Sequence, residues 1–182
     1  RLCIFCPFGF TMSDLPISPE LFNRATAGNR EAQFELAEIY MQSENEEHVE
    51  LAEEWALKAA QLGHVEAMYW LGEGYSFYAK ELLEEDPEEA KTYFEHAYRW
   101  LKQASESHHA GAILELASLY RSGNGTEKDV AQSVELVKQA AELGEAQAMR
   151  DLACIYEHGL GVDADDAKAD YWNDKSHIAE EK

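Results

Sequence analysis

Four segments of the sequence repeat one spacing pattern, and this repetition constrains the fold more than any other feature. In each segment a Gly or His is followed by Ala four positions later, by Leu eight positions later and by Tyr twelve positions later. The four copies begin at Gly28, Gly63, His108 and Gly144. The period is about 35 residues, with roughly ten additional residues in the second copy. Such a period predicts a solenoid of stacked helical units.

A second pattern follows the first in every copy and predicts a second helix. It places two small residues seven positions apart, with an aromatic or apolar residue three positions after the first of them. The copies are Ala52, Trp55 and Ala59; Ala97, Trp100 and Ala104; Ser133, Leu136 and Ala140; and Ala169, Trp172 and Ser176. Spacings of three, four and seven place residues on one helical face. Each unit is therefore predicted to contain two amphipathic helices, with Trp55 and Trp100 buried between neighbouring helices.

Capping residues and glycines indicate where these helices begin and end. Ser18 and Asp86 each precede a proline and can cap a helix that starts there. The predicted helices span 18–27, 29–42, 46–61, 64–83, 87–106, 109–121, 127–142, 145–157 and 164–178. We assign residues 1–17 to an N-terminal extension outside the fold and 18–182 to one domain. Its units lie near 28–62, 63–107, 108–143 and 144–179.

The charge of the chain limits the partners that it can bind. The sequence has 15 Lys and Arg against 36 Asp and Glu, which gives a net charge of −21. Nucleic acids and anionic membrane surfaces are bound mainly through basic side chains, so we expect neither as a partner. Neutral or basic proteins fit better, although an acidic surface can also serve solubility alone. No apolar run reaches the roughly 20 residues that a membrane-spanning helix needs, so we expect no membrane insertion.

The cysteines do not predict a disulfide framework. Two of the three, Cys3 and Cys6, lie in the apolar segment 1–11, which precedes Met12. This segment begins with Arg, as a signal peptide can, but no small-residue cleavage pattern follows it. We interpret 1–11 as an upstream extension without a role in the fold, and we expect a cytoplasmic protein.

No residue pattern predicts a catalytic, cofactor or metal site. Cys3 and Cys6 lack the second pair that a metal site would need, and Cys154 and His158 supply only two potential ligands. The acidic runs lack the central glycine and alternating oxygens of a calcium loop and are interpreted as a solvated surface. The nucleophile elbow, the phosphate-binding loop and the dinucleotide fingerprint are absent from the sequence. We therefore expect no enzyme activity and no cofactor.

The repeated residues resemble those of the Sel-one-like repeats, a family related to the tetratricopeptide repeats. The resemblance covers residues 28–178 and is most specific in the last unit. There the family positions are filled by Ala148, Leu152, Tyr156, Gly159, Gly161, Val162, Asp165, Ala169 and Trp172. The sequence departs from the family at His108, which replaces Gly, at Leu136, which replaces an aromatic residue, and in the first unit, which lacks the glycine loop. The resemblance implies an all-α, right-handed superhelical solenoid of antiparallel helix pairs, used as an adaptor, scaffold or inhibitor.

The free face of each first helix is the predicted binding surface. In the second unit Ala67, Leu71 and Tyr75 point towards the core, so Tyr69 and Trp70 point roughly the other way at about 100° per residue. The candidate partner-binding residues on the equivalent faces are Phe34, Glu35, Glu38, Tyr69, Trp70, Glu73, Phe77, Glu115 and Arg121. By resemblance to the family, this surface is the concave groove. Aromatic rings beside carboxylates suit a protein or peptide with Lys or Arg side chains.

Two alternatives accompany this prediction. Trp70 and Phe77 could instead pack against the insertion at 78–86, since aromatic residues at helical spacing often belong to a core. The role of the surface is also open. An adaptor that binds a protein or peptide is the first hypothesis, and a neutralising immunity-type inhibitor of a bacterial secreted toxin is the second.

Overall fold

The computed structural model describes residues 15–43 and 45–180, and throughout these ranges the regular structure is α-helical. The helices there are α1 Pro19–Thr26, α2 Arg30–Met41, α3 Glu46–Gln61, α4 Val65–Leu82, α5 Pro87–Glu106, α6 Ala110–Ser122, α7 Val130–Glu142, α8 Ala146–His158 and α9 Asp166–Glu180. The predicted helices are confirmed to within about three residues at either end. The expectations for residues 1–11 and their two cysteines lie outside the described residues. Ile17, just before α1, packs against the core.

The helices form an all-α solenoid, as the repeat predicts. Each helix packs against the next one along the chain, from α1 against α2 to α8 against α9, and α4 also contacts α6. The pairs α2–α3, α4–α5, α6–α7 and α8–α9 are the four units. We call α2, α4, α6 and α8 the first helices and α3, α5, α7 and α9 the second helices.

The repeated Ala and Leu residues of the first helices form one continuous core with residues of the second helices. Ala32, Leu36, Ala67, Leu71, Ala112, Leu116, Ala148 and Leu152 are all buried within it. Full burial of a leucine side chain contributes roughly 1.5–3 kcal/mol relative to exposure. The small alanines let neighbouring helices approach closely, and the leucines fill the space that remains. The repeated positions therefore mark the stripe of residues that each first helix buries in the core.

Helices α4 and α5 approach each other closely at Gly72. A Cβ atom placed on Gly72 of α4 would lie 2.6 Å from Cγ of Leu101, a fully buried residue of α5. The equivalent positions of the other units hold alanine. The two long helices of the second unit are therefore in direct contact at Gly72.

The two tryptophans predicted to be buried differ in their environment. Trp55 is 8% exposed; the ring of Phe22 in α1 packs edge-on against it, and the Lys58 ammonium lies 4.1 Å from its centre. Trp100 packs against the core but is only partly buried. The prediction of burial is thus confirmed for Trp55 and wrong in degree for Trp100. Trp55 owes its extra cover to α1 and to a lysine on its own helix.

Tyrosines at the twelfth position of the repeat connect successive units. The Tyr75 hydroxyl in α4 donates a hydrogen bond to Glu53 Oε1 in α3, at 2.5 Å. The hydroxyls of Tyr120 in α6 and Tyr98 in α5 lie 3.0 Å apart. Glu53 and Tyr98 occupy equivalent positions of the second helices. Burial, followed by the bond to Glu53, raises the pKa of Tyr75, so its phenol stays a donor. Each of these bonds joins a first helix to the second helix of the preceding unit.

The glycine loop between α6 and α7 lies directly on the backbone of α5. Gly125 has a φ of +69°, and a Cβ atom there would lie 2.2 Å from the carbonyl oxygen of Phe94. No side chain fits at that distance. Gly144 has a similar φ of +99°, but a Cβ atom there would meet no atom within 4 Å. These two glycines therefore separate the effect of backbone conformation from that of close packing.

We predict that Gly125→Ala destabilises the fold more than Gly144→Ala. Both variants carry the cost of a positive φ, which is roughly 1–2 kcal/mol for a residue with a side chain. Gly125→Ala must also displace the α5 backbone, which should add about 1–3 kcal/mol. Urea denaturation followed by circular dichroism measures both changes. Equal losses of stability in the two variants would show that the loop does not depend on its contact with Phe94.

Candidate functional site

The predicted partner-binding residues lie on the first helices and none of them is fully buried. We call the surface that they occupy on α2, α4 and α6, together with its continuation on α8, the first-helix face. Four residues are partly buried, namely Phe34, Tyr69, Trp70 and Glu115. Five are exposed, namely Glu35, Glu38, Glu73, Phe77 and Arg121. The first-helix face thus presents aromatic rings and carboxylates together.

Two aromatic residues of this face pack against histidines that cap the next first helix, Phe34 tilted against His64 and Tyr69 stacked on His109. The ring centre of Phe34 lies 4.6 Å from that of His64, and the ring centre of Tyr69 lies 4.3 Å from that of His109. Nδ1 of each histidine accepts a hydrogen bond from a backbone N–H in the first turn, at 3.2 Å from Ala67 and 3.1 Å from Ala112. An aromatic side chain of one unit is therefore held by the helix start of the following unit.

Several contacts hold the Tyr69 side chain in place. Its hydroxyl donates to Glu73 Oε1 at 3.0 Å, and its ring lies 3.1 Å from where a Cβ atom would be on Gly111. The absence of a side chain on Gly111 leaves the space that the ring occupies. On the far side of the stacked pair, Nε2 of His109 lies 3.2 Å from a carboxylate oxygen of Glu66. Burial raises the pKa of Tyr69, with Glu73 acting in the same direction, so the phenol remains protonated.

Glu115 is a partly buried carboxylate without an ion-pair partner among the described residues. Burial raises its pKa, and the negative charges of Glu73 and Asp151 add to that effect. The positive charges of Lys80 and Arg121 act in the opposite direction. Carboxylates of three successive units, Glu73, Glu115 and Asp151, therefore act on one another at this point of the first-helix face.

A cavity of about 130 Å³ opens beside Glu115. It lies where α6, α7 and α8 meet, and Ser118, Ser133 and Asp151 also line it. Sequence reasoning placed Glu115 on the first-helix face, but it did not identify the cavity. Ser133 belongs to a second helix, so the pattern of the first helices does not indicate that it lines the same cavity as Glu115.

Trp70 and Phe77, for which packing against 78–86 was the alternative, differ in exposure. Trp70 packs against the core with part of its surface exposed, whereas Phe77 is 54% exposed. Packing against 78–86 therefore does not describe Phe77. The sequence analysis missed the capping roles of His64 and His109. Both follow the first position of a repeat, where an N-cap residue belongs, and that position was the available signal.

His108 fills a position that holds glycine in the other units. It is the one residue with a side chain that has a positive φ, at +58°, in the described part of the chain. It therefore replaces the glycine in conformation as well as in position. Elsewhere in the described ranges, no group of three or more His, Cys, Asp or Glu side chains could hold a metal ion. Nor is any helix of those ranges both long and apolar enough to span a bilayer.

The sequence matches the family profile described as Sel1 repeat in four consecutive stretches, at residues 30–64, 65–109, 110–145 and 146–172. A comparison with curated proteins finds no match. Each stretch begins at the first residue of a first helix; the first three contain a whole helix pair, and the fourth ends within α9.

Three solved structures of bacterial proteins have a similar fold. A protective antigen of uropathogenic Escherichia coli strains, described as displaying an SLR fold, is 26% identical with a TM-score of 0.67; the match covers 88% of this chain and 36% of that one. The chain thus spans about a third of the length of that antigen. A Sel1 repeat protein from Oxalobacter formigenes is 26% identical with a TM-score of 0.58, over 69% of this chain and 88% of that one. A putative Sel1 repeat protein from Klebsiella pneumoniae subsp. pneumoniae is 24% identical with a TM-score of 0.53, over 88% and 73%, and shows the fold alone.

We predict that acid weakens the capping by His64. Burial lowers the pKa of His64 below its ordinary 6.5, so the native state favours the neutral ring whose Nδ1 can accept a hydrogen bond. This contribution is present above about pH 6.5 and is lost as the pH falls below it. An N-cap contributes roughly 0.5–2 kcal/mol. His64→Asn keeps a capping acceptor that does not titrate, so between pH 7 and 5 it should lose less stability than wild type. His177→Asn, at an exposed position, should lose as much as wild type, and equal losses in all three proteins would contradict the prediction.

We predict that Glu115→Gln stabilises the fold at pH 7. The pKa of Glu115 is raised above its ordinary 4.5, so the native state favours the protonated carboxyl, and its ionisation costs stability as the pH rises through the raised value. The amide cannot ionise, so the variant should have the higher urea midpoint at pH 7. The difference should shrink on acidification and vanish below about pH 4. Glu38→Gln, at an exposed position, serves as the control and should change little at either pH. A Glu115→Gln midpoint at or below wild type at pH 7 would show that the carboxylate is compensated.

Proposed function

The chain belongs to the Sel1 repeat family, and from this premise we propose that its first-helix face binds a protein or peptide that carries basic residues. Repeats of this family serve as scaffolds for protein–protein interaction, and the proposal gives the chain that role. The binding surface would be the concave groove that the resemblance implies. No catalytic residue takes part in the proposal.

The observation that carries the proposal is the joint presentation of aromatic rings and carboxylates on α4. Tyr69 and Trp70 are partly buried, so their rings are held in place before any partner binds. Glu73 is exposed beside them and accepts the Tyr69 hydroxyl. A preorganised ring next to a carboxylate attracts a cation through its face and through the charge, and aromatic side chains are common anchors of interfaces.

The negative charge of the rest of the chain favours the same kind of partner. The net charge of −21 would attract a basic surface over a distance set by the salt concentration. Exposed Glu35 and Glu38 on α2 extend the negative surface towards the N-terminal unit. Such charges speed the encounter of two proteins more than they hold the complex together.

The same charge supports a second candidate function. A neutralising inhibitor of a basic bacterial toxin would also present an acidic surface, and one structural neighbour is described as a protective antigen. The two functions differ in the partner. An adaptor would bind a short segment of its partner, whereas an inhibitor would bind a folded toxin and block its activity. Cleaving a basic partner into peptides would abolish binding only in the second case.

We predict that Trp70→Ala weakens binding of peptides selected on the wild-type protein from a random display library. The selected peptides should be enriched in Lys and Arg next to apolar residues, because both kinds of contact are available on α4. Loss of one buried aromatic anchor should cost about 2 kcal/mol, a roughly 30-fold weaker Kd. Isothermal titration measures Kd, and circular dichroism checks that the variant is folded.

Two controls make the prediction specific. Tyr171→Ala removes an aromatic ring that is 53% exposed on α9, away from the first-helix face, and should bind as wild type does. Glu38→Gln combined with Glu73→Gln should slow association and reduce its dependence on salt, with a smaller change in dissociation. Selected peptides without basic residues, or a folded Trp70→Ala variant with wild-type affinity, would overturn the proposal.

A further inference from the structure

A cavity of about 340 Å³ lies at the edge of the solenoid where the two helices of a unit are connected. Its walls come from the residues that follow α4, the first half of α5 and the glycine loop between α6 and α7. We call it the loop-edge cavity. One wall is Leu83, which belongs to the insertion at 78–86. The insertion therefore gives the second and third units a cavity wall that no other pair of units has.

The walls of the loop-edge cavity are largely apolar. Leu83, Pro87 and the buried Phe94 line one side, and Gly123 and Gly125 of the glycine loop line the other. Leu83 is 44% exposed although its side chain is large and apolar. An apolar group that entered the cavity would therefore remove apolar surface from water on both sides of the contact, which favours binding.

The glycine loop at this cavity differs from the corresponding loop of the last unit. Leu160 and Val162 flank the central glycine in the last unit, and Val162 packs against the core. The corresponding residues at the cavity are Asn124 and Thr126. The Asn124 side chain is partly buried and has no hydrogen-bond partner among the described residues. Its amide is therefore able to donate a hydrogen bond to the backbone of an entering peptide.

Carboxylates surround the loop-edge cavity. Residues 81–95 contain seven Asp and Glu side chains and a single lysine, Lys91. None of these carboxylates forms an ion pair within the described part of the chain. Those in the first turn of α5 also suit the helix dipole, but Glu95 and Glu127, which line the cavity and are exposed, lie outside that turn. The surroundings of the cavity therefore complement a positively charged partner.

We propose that the loop-edge cavity binds a large apolar side chain of a protein partner, in a segment whose neighbouring residues are Lys or Arg. The apolar walls contact the anchor, and the carboxylates around the opening pair with the basic residues on either side of it. The volume of about 340 Å³ is roughly ten times the 30 Å³ share of one water molecule, so a side chain the size of Leu or Phe fits. None of the lining residues is a candidate residue of the first-helix face. The site is a second contact, beyond the proposed function.

The test uses the peptide acetyl-Lys-Lys-Phe-Lys-Lys-amide as the probe. One comparison peptide replaces Phe by Ser, and another replaces every Lys by Glu. The whole chain, with ¹³C-labelled leucine methyl groups, is titrated with each peptide, and the Leu83 methyl signals are followed by NMR, because an aromatic ring shifts the signals of methyl groups beside it. We expect a saturable shift with the probe and none with either comparison peptide. An unshifted Leu83 signal, or equal affinity for the Phe and Ser peptides, would overturn the proposal.

A pair of leucine variants locates the anchor. Leu83→Ser removes an apolar wall and should weaken binding of the probe about fivefold or more. Leu160→Ser is the matched control, because Leu160 is 51% exposed on the corresponding loop of the last unit, and it should bind as wild type does. Both leucines are exposed, so both variants should keep the fold, which circular dichroism checks. Backbone amide shifts of the glycine loop report binding to Leu83→Ser, which lacks the leucine signal. Equal affinities of the two variants would contradict the assignment.

Charge reversal tests the carboxylates. Glu95→Lys combined with Glu127→Lys should weaken binding of the probe about tenfold at low salt and less at high salt, where the attraction is already screened. Glu106→Lys combined with Glu142→Lys is the matched control, because it changes the net charge equally at the exposed last residues of α5 and α7. This control should bind nearly as wild type does. Equal losses in the two double variants would show that net charge, and not the cavity, attracts the peptide.

Trp70→Ala separates this inference from the proposed function. The variant should bind the probe at Leu83 as wild type does, because Trp70 lies on the first-helix face. Loss of the Leu83 shift in Trp70→Ala would place the probe on that face and remove the loop-edge site, with the proposed function intact. Library peptides that bind Trp70→Ala at wild-type affinity would remove the proposed function, while a Leu83 shift with the probe would still support the loop-edge site.

Discussion

Close packing of helices through residues with little or no side chain is the constraint on which the rest of this solenoid depends. Gly72 brings α4 against Leu101 of α5, and Gly125 brings a loop against the backbone at Phe94. The fully buried alanines do the same in every unit. The glycine contacts leave no room for a methyl group, and the buried alanines face closely packed neighbours, so both set the distance between helices within narrow limits. The larger side chains on the first helices are then free to face outwards or towards the next unit.

The units are joined by polar and aromatic contacts as well as by the core. Tyr75 bonds to Glu53 of the preceding unit, and Tyr69 stacks on His109 of the following one. The same α4 helix therefore fixes both of its neighbours. The candidate site is built from side chains that belong to different units, so its geometry depends on how the units stack. A change at a junction can alter the site without touching any residue that a partner would contact.

The surroundings of Glu115 lower the stability of the folded protein when its carboxyl group is ionised. A partly buried carboxylate beside other negative charges opposes the folded state, because burial and the neighbouring charges both disfavour its ionised form. Where local features conflict with an otherwise consistent fold, function is a physical reason for them to persist.

The sequence by itself determined the helices, their pairing and the stripe that each helix buries. The long α5, predicted at 87–106, has these bounds in the structure because a proline start, an acidic N-cap and a local period are all encoded within one segment. Sequence also placed Tyr69, Glu73 and Glu115 on one face, since helical phase is a local property. Only the tertiary structure decided that Tyr69 lies over Gly111, that Trp100 stays partly exposed and that Ser133 meets Glu115 in a cavity. These features depend on distances between units that are far apart in sequence. The pattern of one helix carries no information about such distances; the stacking of several helices sets them.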